Sequence, residues 1–253
     1  MTAVGRVGAE ATAAWHSFVR RRTAVFFTFF FPVILVLIFA VLVQTNPGGG
    51  GLFAEPPAYY LPGYLAVVVL FTPLSRVGSE VARHREGNRF EKLATTPLSR
   101  VEWLLAHTLV NVAIIGIASL IVLGLMALVT GTADLILDPA SLALVAAFVA
   151  LGVAVFCGLG AVLGATADSQ DGVIAMSNTI ALPLLFLSDT FVTPDLLPAW
   201  FRPAMGLSPL SYFARGVREL TYSGGAFGAE MGVLAVLALA FFAAGAYAIP
   251  RTD

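Results

Sequence analysis

Apolar residues along the chain gather into long runs separated by short polar stretches. Six such runs, at residues 23–43, 59–74, 104–129, 141–165, 173–187 and 231–249, approach the ~20 residues that a helix needs to cross a bilayer. The fifth is the shortest and carries Pro183. Before the first run, Val4, Val7, Ala11, Trp15 and Phe18 recur at steps of three and four, while Arg6, Glu10 and Ser17 fall elsewhere on the wheel. That pattern predicts an amphipathic helix over residues 1–22 lying in the membrane interface. The run at 23–43 is too long for a secretory signal and lacks a small-residue cleavage site, so it reads as a retained first span. Pro32 is tolerable there because neighbouring helices can satisfy the freed carbonyl. Residues 44–58, with Gly48-Gly49-Gly50-Gly51 and Pro56-Pro57, form a loop that neither neighbouring helix can continue. Tyr59, Tyr60 and Tyr64 are placed as interfacial anchors of the second span.

Composition supports the bilayer as the organising solvent. Of 253 residues, 58% are hydrophobic and 11% charged, less than half the charged share of a soluble domain. A net charge of −1 gives no global basic field for nucleic acid. The local charges do carry information. With the N-terminus inside, six crossings put 11 of the 14 basic residues in the cytoplasm, leaving only Arg202, Arg215 and Arg218 outside. The expected fold is therefore an all-α integral membrane protein of six transmembrane helices with both termini cytoplasmic.

No phosphate-binding glycine loop, zinc-protease helix or serine nucleophile elbow occurs. His16, His84 and His107 show no metal-ligand spacing, so neither an enzyme nor a metal site is expected. Asp168 and Asp171 read as a tight solvated loop between the fourth and fifth spans. Cys157 reads as a small packing residue. Asn111, Ser119, Ser177, Asn178 and Thr179 lie in apolar runs, where polar groups usually bond to neighbouring helices. Gly160 and Gly164 form a small-xxx-small pair suited to close helix packing, within the subunit or at a dimer seam.

Two segments depart from a plain bundle of spans. Residues 76–103 are dense in both signs of charge, and Phe90, Leu93 and Leu98 thread through residues 83–100. This reads as an amphipathic helix of two to three turns ending before Pro97. On spacing alone the positive charges read as pinning topology; topology needs only lysine and arginine, however, so the interleaved Glu80, Glu86, Glu91 and Glu102 also suit docking onto a soluble partner. Residues 189–222 are apolar and aromatic but broken by Pro194, Pro198, Pro203 and Pro209. Non-helical backbone at membrane depth survives only when buried in protein or lining a wet cavity. Two readings fit: an interfacial loop with an aromatic belt, or a pair of short helices re-entering from the outer face, opened by Pro194 and Pro209, with Phe191, Leu196, Leu197, Trp200, Phe201 and Phe213 supplying apolar surface.

At these two segments the chain resembles the membrane subunits of type-2 ATP-binding cassette exporters, a group that includes drug-resistance and polysaccharide or lipid permeases. The cytoplasmic stretch Arg83 through Leu98 is similar to that family's Arg-x-x-Gly-x-x-Glu-x-Leu-x-x-Thr-Pro-Leu motif. Leu187-Ser188 through Trp200 and Ser208-Pro209-Leu210-Ser211-Tyr212 resemble its outer motifs, with Ser208 where asparagine is frequent and Asp189 where a small residue is usual. The resemblance implies a permease domain over residues 23–253 in the cell (plasma) membrane, pairing with a second permease subunit, itself or another, and with two copies of a separate ATPase subunit. That subunit would bind ATP and Mg²⁺; this chain would bind no cofactor. It further implies that Arg85, Glu86, Glu91, Lys92, Thr95 and Pro97 couple to the ATPase. Phe191, Pro194, Pro198, Trp200, Phe201, Pro209 and Tyr212 would form an outer gate. The rival expectation, a secondary transporter or channel, calls for internal repeats and intramembrane ionisable residues.

Overall fold

A computed structural model describes residues 2–43, 55–131, 134–194 and 197–250. Most of the 44–58 loop, together with Asp195, Leu196 and Arg251, lies outside the described residues. The first helix, α1 (Ala3–Arg20), is capped by Thr2, whose hydroxyl accepts from Gly5 N at 3.3 Å, and it buries Ala14 and Phe18. The next, α2 (Arg22–Val36), contains Pro32 and runs on as a π-helical turn over Leu37–Leu42. Helix α3 (Leu61–Glu86) is followed by the short α4 (Arg89–Ala94). Long helices α5 (Arg100–Thr130) and α6 (Pro139–Thr166) come next, then α7 (Gln170–Phe186), α8 (Pro209–Arg218) and α9 (Gly228–Ala248).

Helix ends follow local chemistry. Ser99 and Glu102 form a reciprocal capping box that starts α5. Asp138 accepts from Ala140 N and Ser141 N at the head of α6, with Pro139 in the first position. Ser169 caps α7 through Gly172 N at 3.1 Å, so Asp168 and Asp171 flank a tight corner, as the sequence predicts. Among the described residues, five helices are long and apolar enough to cross a membrane: Arg22–Leu42, Pro57–Glu86, Arg100–Thr130, Pro139–Thr166 and Gly228–Ala248. Helix α7, which covers the expected fifth span, has 17 residues and falls short of them.

Helix α3 lies at the centre, with α5, α6, α7 and α8 packed around it. Its close approach to α6 is made by glycine. A methyl group on Gly160 would sit 2.5 Å from the Leu74 carbonyl oxygen, and one on Gly164 would collide with the Gly78 carbonyl. The small-xxx-small pair therefore serves packing within the subunit. Gly245 of α9 meets Gly158 of α6 in the same way, at 2.6 Å. Cys157 is fully buried in this layer.

Helix α3 runs on past the second apolar stretch to Glu86, because hydropathy marks where a helix leaves the membrane rather than where it stops. The mixed-charge segment is not one helix of two to three turns. The chain turns at Gly87-Asn88, with Asn88 at φ 50°, and α4 has only six residues, asparagine being one of the few residues that accept the left-handed region. The 189–222 segment holds a 3₁₀ helix (Arg202–Leu207) and then α8, which Pro209 opens; Pro194 is in 3₁₀ conformation and its carbonyl accepts from Leu197 N, while the rest of the helix expected to start there falls on Asp195 and Leu196, outside the described residues.

Candidate functional site

At the α4 end, the six residues expected to couple fall into two groups. Arg85 donates to the carbonyls of Gly164 (3.2 Å) and Ala167 (2.8 Å), satisfying the frayed end of α6. Glu86 accepts from the backbone and side-chain nitrogens of Gln170 at 3.1 and 3.2 Å. Both side chains brace α3 against the α6–α7 corner. Glu91, Lys92, Thr95 and Pro97 are exposed beyond them, and the Thr95 hydroxyl bonds only to the Lys92 carbonyl.

A single side chain of α4 is buried, Phe90. It packs edge-on to Trp103 (5.6 Å between ring centres) and against His84 (5.2 Å). Trp103 in turn lies on His107 at 4.0 Å, and His107 Nε2 is 3.2 Å from the Glu10 carboxylate of α1. That hydrogen bond holds the Glu10 carboxyl below its ordinary range, against the opposing effect of burial. A row of rings thus joins the α4 surface to the interfacial helix. Beside α4, a hollow of about 340 Å³ is lined by Leu93, Leu98, Ile249 and Pro250 among others. Arg100 fixes its far wall by donating to the Tyr247 and Ile249 carbonyls, both at 2.9 Å. Sequence reading missed this hollow, since Ile249 and Pro250, which complete its lining, lie about 150 residues from the rest.

At the other end, Phe191 packs inward on Tyr64 (5.8 Å) and Phe39 (6.4 Å). The backbone behind it lies so close to α3 that a methyl on Gly63 would be 2.8 Å from the Thr190 oxygen. Ser208 Oγ donates to Leu184 O (2.8 Å), and Tyr212 Oη to Gly206 O (2.9 Å), tying the start of α8 back to α7 and the 3₁₀ turn. Pro209 is buried, Pro194 half-buried and Pro198 exposed. Trp200, 80% exposed, pairs edge-on with Phe201 (5.4 Å). Phe191 and the Trp200–Phe201 pair therefore occupy different settings, one inward and one at an exposed tip.

Beneath this segment lies a cluster that sequence reading missed. Arg215 Nε donates to Asp189 Oδ2 at 2.6 Å, and Arg218 Nη2 donates to the Asp189 carbonyl at 2.7 Å. The Arg218 guanidinium lies 4.1 Å over the Tyr59 ring. Two of the three arginines that the topology assigns to the outer side thus serve as internal struts. The signal was Asp189 itself, an acid in an otherwise apolar run. Polar residues within the helices divide: Asn111 accepts from Arg76 of the neighbouring α3, as expected, and donates to the His107 carbonyl of its own helix, Thr179 bonds within its own helix, and the Ser119 and Ser177 hydroxyls have no hydrogen-bond partner among the described residues.

Comparison with known proteins places the chain. The daunorubicin resistance ABC transporter permease protein of Streptomyces coeruleorubidus is 29% identical over 174 residues, covering 67% of this chain and 59% of that protein. The ABC-2 type transporter family matches residues 7–222, from within α1 through the end of the 189–222 segment. With that much of the chain matched, and with five apolar membrane-length helices among the described residues, α3 at their centre being one of them, the protein belongs to the ABC-2 type transporter family, as a membrane component.

Proposed function

We propose that this chain is the permease subunit of an ATP-driven exporter, working as a homodimer with two copies of a separate ATPase subunit in the cell membrane. The family match over residues 7–222 carries the reading. The orientation follows from the basic residues: six crossings with both termini cytoplasmic, α4 facing the ATPase and the 189–222 segment facing out. Glu91, Lys92, Thr95 and Pro97 form the docking rim, with Arg85 and Glu86 supporting it from α3. Trp200 and Phe201 close the outer side of the path, and Phe191 anchors that closure to Tyr64. Cargo is a hydrophobic or amphipathic molecule, a drug, lipid or lipid-linked glycan; the daunorubicin-resistance relative favours a drug-like amphiphile. ATP and Mg²⁺ belong to the ATPase subunit.

The test is reconstitution of the chain with a co-expressed ATPase in vesicles loaded with a fluorescent amphiphile. ATP-dependent efflux that disappears when either subunit is omitted is the expected result. Efflux by this chain alone, driven by an ion gradient, would overturn the reading in favour of a secondary transporter.

A further inference from the structure

Helix α2 is thinly covered by protein. Phe26, Phe27, Phe30 and Phe31 are each about half exposed, and beside them two hollows of about 460 and 720 Å³ share Arg21, Ala24 and Phe27. Together they make one continuous cleft running from the exposed Arg20-Arg21-Arg22 triplet inward between α1, α2 and α3. Its two ends differ in chemistry. The inner wall of Phe27, Phe31 and Phe71 is apolar, while Ser75, Ser79 and Arg76 are polar or charged.

The charge balance of the cleft is cationic. Arg76 sits 4.6 Å over the Phe18 ring and makes only long contacts, 3.4 Å to Asn111 Oδ1 and 3.5 Å to the Ala14 carbonyl. Glu80 is the single acid lining the cleft. Arg83 already pairs with it, His84 Nδ1 stands 3.5 Å from it, and Arg21 reaches it only at 3.9 Å. The other imidazole in the wall, His107, is engaged by Glu10. Four arginines thus face one largely satisfied carboxylate beside a greasy wall. We infer that this cleft between the interfacial helix and α2 is a binding site for an anionic phospholipid, with its phosphate at Arg21 and Arg76 and an acyl chain along Phe27, Phe31 and Phe71. Anionic headgroups are what basic interfacial clusters attract, and a mixed apolar and polar cleft of this size suits a single amphiphile. The inference rests on the interfacial placement of α1 and is independent of cargo and ATPase.

Native mass spectrometry of the purified full chain, offered phosphatidylglycerol, phosphatidylcholine or inorganic phosphate, tests it. Phosphatidylglycerol should be retained in preference to the other two. Arg21→Gln should weaken that retention about fivefold, the worth of one basic group at an anionic surface, while Arg21→Lys keeps it. Ala24→Phe should abolish it by filling the cleft with charge unchanged, and Arg89→Gln on α4 should leave it intact. Equal retention of both lipids, equal competition by inorganic phosphate, or a well-behaved Ala24→Phe protein that still holds phosphatidylglycerol would each overturn the proposal, as would crosslinking of Phe27→Cys to a second copy through a closed cleft.

Discussion

Arg6 grips Glu102 with two hydrogen bonds, Nε to Oε2 at 3.1 Å and Nη2 to Oε1 at 2.5 Å, across 96 residues of sequence. The same carboxylate accepts from the Ser99 backbone at 2.8 Å to complete the capping box of α5. One side chain therefore starts the third long helix and fastens the interfacial helix to it. The two roles separate by mutation. Arg6→Ala should raise hydrogen exchange across residues 3–20 and leave 99–105 unchanged, whereas Glu102→Ala should raise it in both. Unchanged exchange in α1 after either substitution would show that Glu10 and His107 suffice to hold it.

The Asp189–Arg215 pair predicts an asymmetry. The Asp189 side chain is 4% exposed and Arg215 is 37% exposed, so the arginine can turn to solvent if left alone and the carboxylate cannot. Arg215→Leu should lower the unfolding temperature far more than Asp189→Leu, by an amount corresponding to about 3–5 kcal/mol for an acid stranded in the interior. The double leucine variant should recover most of that loss. A double variant as unstable as Arg215→Leu would mean that the arginine acts through packing.

Glycine packing between α3 and α6 leaves no room for a side chain. Gly160→Leu drives atoms against the backbone of Leu74, which cannot step aside as a side-chain tip could, and should cost about 1–3 kcal/mol or more. Gly116→Ala, where nothing lies within 4 Å, should stay within about 0.5 kcal/mol. Thermal unfolding of the two purified proteins measures the contrast.

How much of this was legible depends on range. The amphipathic first helix, five of the six apolar runs, Pro209 at the start of α8 and the Gly160/Gly164 pair were readable because each is a pattern within a few residues of one helix. The end of α3 was not, since a charge such as Arg76 looks like a boundary until its contacts with α1 and α5 are seen. Nor were the roles of Arg85, Glu86 and Arg215, whose partners lie 26 to 84 residues away. Their pairing depends on the register of one helix against another, which no local periodicity encodes. The proposed coupling residues rest on charge mixture and on a family motif, and neither criterion can tell a carboxylate facing a partner from one facing its own chain.

Glu91 and Glu86 provide that distinction experimentally. Glu91 is exposed on α4, and removing a single rim charge should cost about 0.2–1 kcal/mol, so Glu91→Ala should co-purify with the ATPase nearly as well as the unaltered chain. Glu91→Lys sets a like charge against a partner shaped for an acid and should reduce co-purification and stimulated ATP hydrolysis sharply, while its unfolding temperature stays unchanged. Glu86→Lys differs, because Glu86 accepts two hydrogen bonds from Gln170 at the head of α7. Its reversal places a cation where a helix N-terminus and two donors expect an anion, so stability and coupling should fall together. If Glu91→Lys still co-purifies and stimulates hydrolysis normally, α4 is not the docking rim. If Glu86→Lys is as stable as the unaltered chain, the brace at the α6–α7 corner contributes nothing.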